Sequence, residues 1–161
     1  MEKIYAPWRM EFIKGEKQAG CVFCKESVRC HDLVLYEGKS AFVMMNRYPY
    51  NSGHLMIVPV RHICEMEDLL PEEKREIFDL LDMSIKILKK AMNPEGFYIG
   101  INLGKAGGAG IVDHMHVHIV PRWSGDTNFI TTVGDIRVIP EDIYKTCELL
   151  MPYFEKCRPE V

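Results

Sequence analysis

Histidine occupies every second position between residues 114 and 118, in the run His114-Met115-His116-Val117-His118-Ile119-Val120. No other feature restricts the fold of this chain as tightly. A period of two is that of a strand, in which successive side chains leave on opposite faces. His114, His116 and His118 then share one face, and Met115, Val117 and Ile119 the other. The apolar face seals against a core, and the imidazole face opens on a site. The outer two Cα atoms lie about 13 Å apart at about 3.3 Å per residue. One metal ion cannot easily take all three rings, so the three histidines are expected to have different jobs. Two other readings of the same residues stand beside this one. One is a His-rich polar face with no chemistry; the other is a mononuclear metal hydrolase built on an H-x-H pair, as in zinc enzymes.

The surrounding sequence supplies the rest of a sheet. The triad strand is predicted over 113–121. Two β-rich runs, 33–36 and 41–45, flank Glu37-Gly38-Lys39-Ser40 and read as a hairpin. A third strand is predicted over 54–59, with Gly53 before it and Pro59 ending it or placing it at an edge. A further strand covers 97–103. The clearest helix spans 71–92, where Ile77, Leu80, Leu81, Ser84, Ile85, Leu88 and Met92 recur at spacings of three and four. Pro71 suits its first turn, Glu72 and Glu73 its positive end, and Lys86, Lys89 and Lys90 its negative end. Asn93-Pro94 stops it. A last helix is predicted to start near Pro140 and to carry Ile143, Cys147, Leu150 and Phe154 on one side, with Pro152 kinking or ending it. Residues 1–30 are turn-rich, with one apolar stretch from Trp8 to Ile13. Consecutive strands with one long helix inserted predict an α+β fold on an antiparallel sheet. The 161 residues fit a single domain.

A net charge of -3 supplies no bulk positive field, so neither nucleic acid nor an anionic membrane is an expected partner. The first 20 residues are charged throughout and lack an apolar core of about seven residues. No run approaches about 18 apolar residues. Neither a secretory signal nor a membrane span is predicted, and the expected compartment is the cytoplasm. Cysteines there stay reduced, so Cys21-Val22-Phe23-Cys24 reads as a metal or redox pair before a disulfide. A thioredoxin-like role lacks the βαβ surroundings it needs. A zinc site needs two more ligands, and Cys30, His31 and Cys64 compete for that place; a free Cys pair is the remaining reading. Cys147 and Cys157 fall in the last helix as packing or surface residues. The segment 104–110, Gly-Lys-Ala-Gly-Gly-Ala-Gly, is either a plain linker or a phosphate cradle. In the second case Gly107, Gly108 and Gly110 let backbone N–H groups converge, Lys105 adds charge and Asn102 a donor.

The pattern H-φ-H-φ-H-φ-φ, with φ apolar, resembles the signature of the histidine triad (HIT) family of nucleotide hydrolases and transferases, and 114–120 matches it throughout. Asn46-Arg47-Tyr48-Pro49-Tyr50-Asn51-Ser52-Gly53-His54 is similar to the family's segment that ends one strand and opens the next. The resemblance covers about 20–130, which makes 1–161 one HIT domain with an N-terminal zinc-binding segment and a C-terminal helical extension. It implies a five-stranded antiparallel sheet. It makes His116 the nucleophile toward a nucleotide α-phosphate, through a nucleotidyl-histidine intermediate. His118 then assists the leaving group, and His54 supports the site. The resemblance further implies that Asn46 binds the ribose and that Asn102, Lys105, Gly108 and Gly110 hold phosphates. Phe42 and Met44 either line the base pocket or belong to the ordinary core. It implies structural zinc on Cys21, Cys24, His62 and His114, Mg2+ accompanying the substrate, and a homodimer through the long helix and the sheet edge. A Gln common at the position of Gly110 in the dinucleoside-triphosphate hydrolases is absent. Residues 118–129, with Trp123, and Ala6-Pro7-Trp8-Arg9-Met10 resemble instead the branch of bacterial dinucleoside tetraphosphate phosphorylases. The expected substrate is a dinucleoside polyphosphate such as diadenosine tetraphosphate, with phosphate or water as acceptor. The rivals are a nucleoside phosphoramidate or adenylyl-amine hydrolase and a nucleotide-binding sensor with little turnover.

Overall fold

The computed structural model describes residues 20–24, 32–126, 139 and 141–159. The apolar stretch Trp8 to Ile13, the segment 6–10, Cys30, His31, residues 127–129 and Pro140 lie outside the described residues. Five strands form one sheet: β1 (Val34–Glu37), β2 (Ala41–Met45), β3 (Leu55–Pro59), β4 (Gly96–Ile101) and β5 (Val117–Arg122). Their spatial order is β1-β2-β3-β5-β4, and every neighbouring pair is antiparallel. Helix α1 (Pro71–Met92) connects β3 to β4, and α2 (Ile143–Glu155) follows β5. This is the predicted α+β architecture.

The hairpin forms where expected. Gly38 N–H donates to the Ala41 carbonyl at 2.9 Å. The turn is also clamped from α1. The Glu76 carboxylate accepts from the backbone N–H of Lys39 (2.7 Å) and Ser40 (2.6 Å) and from the Ser40 hydroxyl. A side chain on Gly38 would run into Glu76, so the close approach requires glycine there.

Alternation sorts each strand between two cores. Val43, Met45, Leu55, Ile57, Val117 and Ile119 face α1 and α2, where they pack with Ile77, Leu80, Leu88, Leu150 and Phe154. Phe42, Met44, Met56 and Val58 face the other way and pack with Phe23. Each fully buried Leu or Ile side chain contributes about 1.5–3 kcal/mol, so the first cluster carries most of the stability. The second cluster lies on the histidine side, because Met56 pairs with His118.

Helix α1 has the predicted bounds. Pro71 sits in its first turn, and Asn93, in the left-handed region at φ 49°, closes it. Glu73 reaches back to the Leu70 N–H (2.8 Å), and Arg61 grips the same carboxylate at 2.9 and 2.7 Å. The buried stripe differs slightly from the predicted one. Ile77, Leu80, Ser84 and Leu88 are buried as expected, Leu81, Ile85 and Met92 are half-buried, and Ile87 joins the core. The reason is that α1 is covered by α2 as well as by the sheet, so the apolar face is broader than a single stripe.

Strand boundaries differ where pairing runs out. β5 begins at Val117, not at 113, because Val117 is the last residue opposite both Ile57 and Ile101. His114 and His116 lie on the lead-in to the strand, where Met115 N–H donates to the Ile63 carbonyl at 2.7 Å. β3 begins at Leu55, one residue after His54, and β4 covers Gly96–Ile101 in place of 97–103. Helix α2 starts at Ile143, later than expected, because the Asp142 carboxylate caps it by accepting from the N–H groups of Tyr144 and Lys145. Pro152 does not end α2, which continues to Glu155 with Leu150 and Phe154 fully buried on either side of it. Among the described residues no helix is long and apolar enough to cross a membrane.

Candidate active site and metal centre

The antiparallel register of β3 and β5 brings His54 beside the triad. Gly53, at φ 73°, turns the chain into β3 and places His54 in complete burial. The backbone N–H of Tyr50 donates to His54 Nδ1 at 3.0 Å. An N–H cannot donate to a protonated nitrogen, so the proton of neutral His54 sits on Nε2. That nitrogen lies 2.9 Å from His118 Nδ1. His54 therefore donates, His118 accepts on Nδ1, and the proton of His118 is left on Nε2. Burial, and secondarily the neighbouring His116, push His118 down to about 4, so the ring is neutral at pH 7.

His116 is oriented by a different partner. Its Nδ1 lies 3.0 Å from the His114 carbonyl, which can only accept. Nδ1 is thus the protonated nitrogen, and the lone pair is on Nε2. Burial lowers the pKa of His116 further than the bond to the carbonyl raises it, which keeps that lone pair available at neutral pH. The rings of His116 and His118 stand edge-on with centroids 4.7 Å apart. The site therefore presents one imidazole lone pair and one imidazole N–H on adjacent rings. Sequence reasoning missed Tyr50, whose ring covers His54 (4.6 Å) and His118 (5.6 Å) while its N–H sets the His54 tautomer. Its position four residues before His54 was the available signal.

The third triad histidine turns elsewhere. Donor atoms of Cys21, Cys24, His62 and His114 all lie within 4.8 Å of one another. Cys21 Sγ is 3.3 Å from His114 Nδ1, and Cys24 Sγ is 3.3 Å from His62 Nδ1. A tetrahedral ion with bonds of about 2.3 Å to sulfur and about 2.0 Å to nitrogen needs sulfur–nitrogen edges of about 3.5 Å, so the donor set fits such an ion. The orientation fits too. His114 Nε2 donates to the Pro59 carbonyl at 2.9 Å, which leaves the Nδ1 lone pair toward Cys21. Cys64 is exposed and outside this group, Cys147 is buried in α2, and Cys157 is exposed. Among the described residues, His116 and His118 are not part of this donor group.

The HIT domain family matches residues 29–125. The chain belongs to the HIT domain family. It is 45% identical over 118 residues to the AP-4-A phosphorylase of Mycobacterium tuberculosis, an alignment covering 73% of this chain and 60% of that protein. It is 31% identical over 93 residues to the bis(5'-nucleosyl)-tetraphosphatase [asymmetrical] of Schizosaccharomyces pombe, covering 58% and 50% respectively. The chain thus spans about three-fifths of the length of the first of these relatives and half of the second. Among solved structures, a Zn-bound histidine triad family protein from Mycobacterium smegmatis superposes with a TM-score of 0.68 at 26% identity, covering 85% of this chain and 94% of that one.

The remaining expected site residues of this HIT chain are distributed as follows. Asn46 follows β2 and lies beside His54, with Nδ2 at 3.4 Å from both ring nitrogens and Oδ1 accepting from Tyr48 N–H. Phe42 and Met44 are buried in the cluster with Phe23, on the histidine side of the sheet. Phe23, between the two cysteines, also touches the His116 ring at 5.0 Å. Asn102 reaches across the glycine loop to the Gly108 carbonyl at 3.5 Å. Gly104 and Gly108 adopt the left-handed region (φ 68° and 86°), which folds the loop into tight turns with Lys105 and Gly110 exposed on it. Trp123 follows β5, and its indole N–H donates to the Asn93 carbonyl at 3.1 Å, tying it to the end of α1.

Proposed function

We propose that this HIT protein transfers a nucleotidyl group from a dinucleoside polyphosphate, such as diadenosine tetraphosphate, to His116 and then to phosphate or water. The observation that carries the reading is the fixed tautomer pair: a lone pair on His116 Nε2 beside an N–H on His118 Nε2. In the first step His116 Nε2 attacks the α-phosphorus. The bond from phosphorus to the bridging oxygen breaks, and the polyphosphate departs as an anion whose freed oxygen accepts a hydrogen bond from His118 Nε2–H. The His116 ring becomes cationic, and the His114 carbonyl holding Nδ1–H stabilises it. In the second step the acceptor oxygen attacks the same phosphorus and the bond to His116 Nε2 breaks, which returns the lone pair to neutral His116; an anionic phosphate oxygen brings no proton, and the proton that water brings leaves to solvent. Phosphate as acceptor yields a nucleoside diphosphate; water yields the monophosphate. The 45% identity to a protein named AP-4-A phosphorylase supports this substrate class.

In the same reading Asn46 binds the ribose and Phe42 borders the base. Asn102, Lys105, Gly108 and Gly110 hold the phosphates, and Trp123 helps admit the phosphate acceptor. Zinc held by Cys21, Cys24, His62 and His114 would fasten the 20–24 segment to the lead-in of β5. A Zn-bound relative of the same fold supports that choice of ion. Magnesium has no such support. Residues 1–161 form one HIT domain, which works in the cytoplasm. It pairs as a homodimer through the β4 edge and α1, where Tyr98, Ile99 and Phe78 are exposed.

The test is a product assay on diadenosine tetraphosphate with and without inorganic phosphate. ADP formed only with phosphate identifies a phosphorylase; AMP in both conditions identifies a hydrolase. Binding without product identifies a sensor and sinks the enzymatic reading. His116→Ala should abolish turnover and retain nucleotide binding, and persistent turnover in that variant would refute the mechanism.

A further inference from the structure

The tautomer of His54 depends on a turn that has no side chain in the chemistry. Residues 50–53 present the Tyr50 N–H to His54 Nδ1, and the Asn51 carbonyl accepts from the His54 backbone N–H at 3.2 Å. Asn51 is 4% exposed, and its amide is aimed away from the histidines, toward the far end of β5. There Asn51 Nδ2 donates to the Pro121 carbonyl (3.0 Å) and to Asp126 Oδ2 (2.8 Å). The Asp126 carboxylate is itself rigidly held. Arg122 grips it through Nε (2.6 Å) and Nη2 (2.5 Å), and the Trp123 N–H donates to it at 3.2 Å.

We propose that Asp126 is a positioning residue for the reaction, acting through Asn51 to hold the turn that orients His54 and hence His118. The chain of contacts is continuous: Asp126 carboxylate, Asn51 amide, Tyr50–Asn51 backbone, His54 Nδ1, His54 Nε2–H, His118 Nδ1. Each link fixes a direction of hydrogen bonding. Asp126 is acceptor-only when ionised, so Asn51 must present its NH2 group there, which settles the amide orientation of a buried asparagine. The proposal rests on the nucleotidyl-transfer reading for its kinetic consequence, but its structural content stands on the tautomers. Asn51 keeps its second bond to Pro121 when the carboxylate is removed, so the turn loosens but stays in place. Partial loss of rate is expected, in contrast to the abolition expected for His116→Ala.

Asp126→Asn offers one acceptor oxygen where the native carboxylate takes at least four bonds. The test compares the full chain as wild type, Asp126→Asn, Asn51→Ala and the double variant, with diadenosine tetraphosphate and saturating phosphate. Each single variant should lower kcat about tenfold with KM within about twofold, and the double variant should fall no further than the worse single. Losses that multiply, or a change confined to KM, overturn the proposal. Imidazole 15N spectra give the second readout, independent of turnover. Wild type should show His54 and His118 both protonated on Nε2, and Asp126→Asn should show His54 populating both tautomers. A wild-type His54 protonated on Nδ1, or an Asp126→Asn spectrum identical to wild type, overturns the proposal. If Asp126→Asn does not fold, Asp126→Glu, which keeps the charge but displaces the carboxylate, is read by the same criteria. A wild-type chain inactive on this substrate would refute the proposed function, while the spectra would still decide the role of Asp126.

Discussion

Replacing His118 with glutamine removes a titrating ring and keeps a neutral side chain able to accept from His54 and to donate into the site. The structure sets what this should do to stability. His118 is 8% exposed, and its pKa falls from 6.5 to about 4, first through burial and then through His116. Between those values the unfolded chain binds a proton that the native chain does not. The contribution of this group to stability is therefore fully present above pH 6.5 and is lost as the pH falls toward 4. At about 1.4 kcal/mol per pH unit, the loss across this window is about 3 kcal/mol. Urea unfolding of wild type and His118→Gln from pH 8 to pH 4 measures it as a difference. Wild type should lose about 3 kcal/mol relative to the variant over that range. Acid release of any metal held by Cys21, Cys24, His62 and His114 would act on both proteins and cancel. A difference that stays constant with pH would refute the burial argument for His118.

Stripping the metal with a strong chelator should lower Tm by about 5–10 °C, measured by calorimetry, because the 20–24 segment loses its covalent hold on His62 and His114. An unchanged Tm would show that the four donors hold no structural ion. Gly53→Ala should destabilise the fold by about 2 kcal/mol in urea unfolding. Gly53 is in the left-handed region, and an added Cβ would lie 2.7 Å from Met92 Sδ and 3.2 Å from Pro121 Cγ. A neutral substitution would mean that the turn before His54 is not held as described.

A strand at the histidine run, helix α1, the hairpin and the two-faced alternation of that strand were all legible in the chain. Each rests on periodicity or turn chemistry among residues a few positions apart, and such patterns survive in any context that buries the apolar face. Boundaries were less legible. Whether 114–116 are paired depends on both neighbours: β4 ends at Ile101, opposite Val117, while β3 runs on to Pro59 but its pairing with β5 stops at Ile57. Ile87 entered the core because α2 covers a flank of α1 that its own spacing does not reveal.

The site divides in the same way. The alternation at 114–118 by itself gave the imidazoles separate roles, but only His118 stands on the strand: His114 and His116 lie on its lead-in, and His114 turns to Cys21, Cys24 and His62. Resemblance then suggested which role belonged to which ring. Only the tertiary structure decided which nitrogen of each ring carries the proton. His118 takes its bond from His54, 64 positions away, and His114 gives its own to Pro59, 55 positions away. The same folding gathers Cys21 and Cys24 with His62 and His114, with Cys64 outside the group, and connects Asn51 to Asp126 across 75 positions. A proton's place is set by whichever donor or acceptor lies within about 3 Å, and neighbours of that kind are supplied by strand register and packing, not by sequence order.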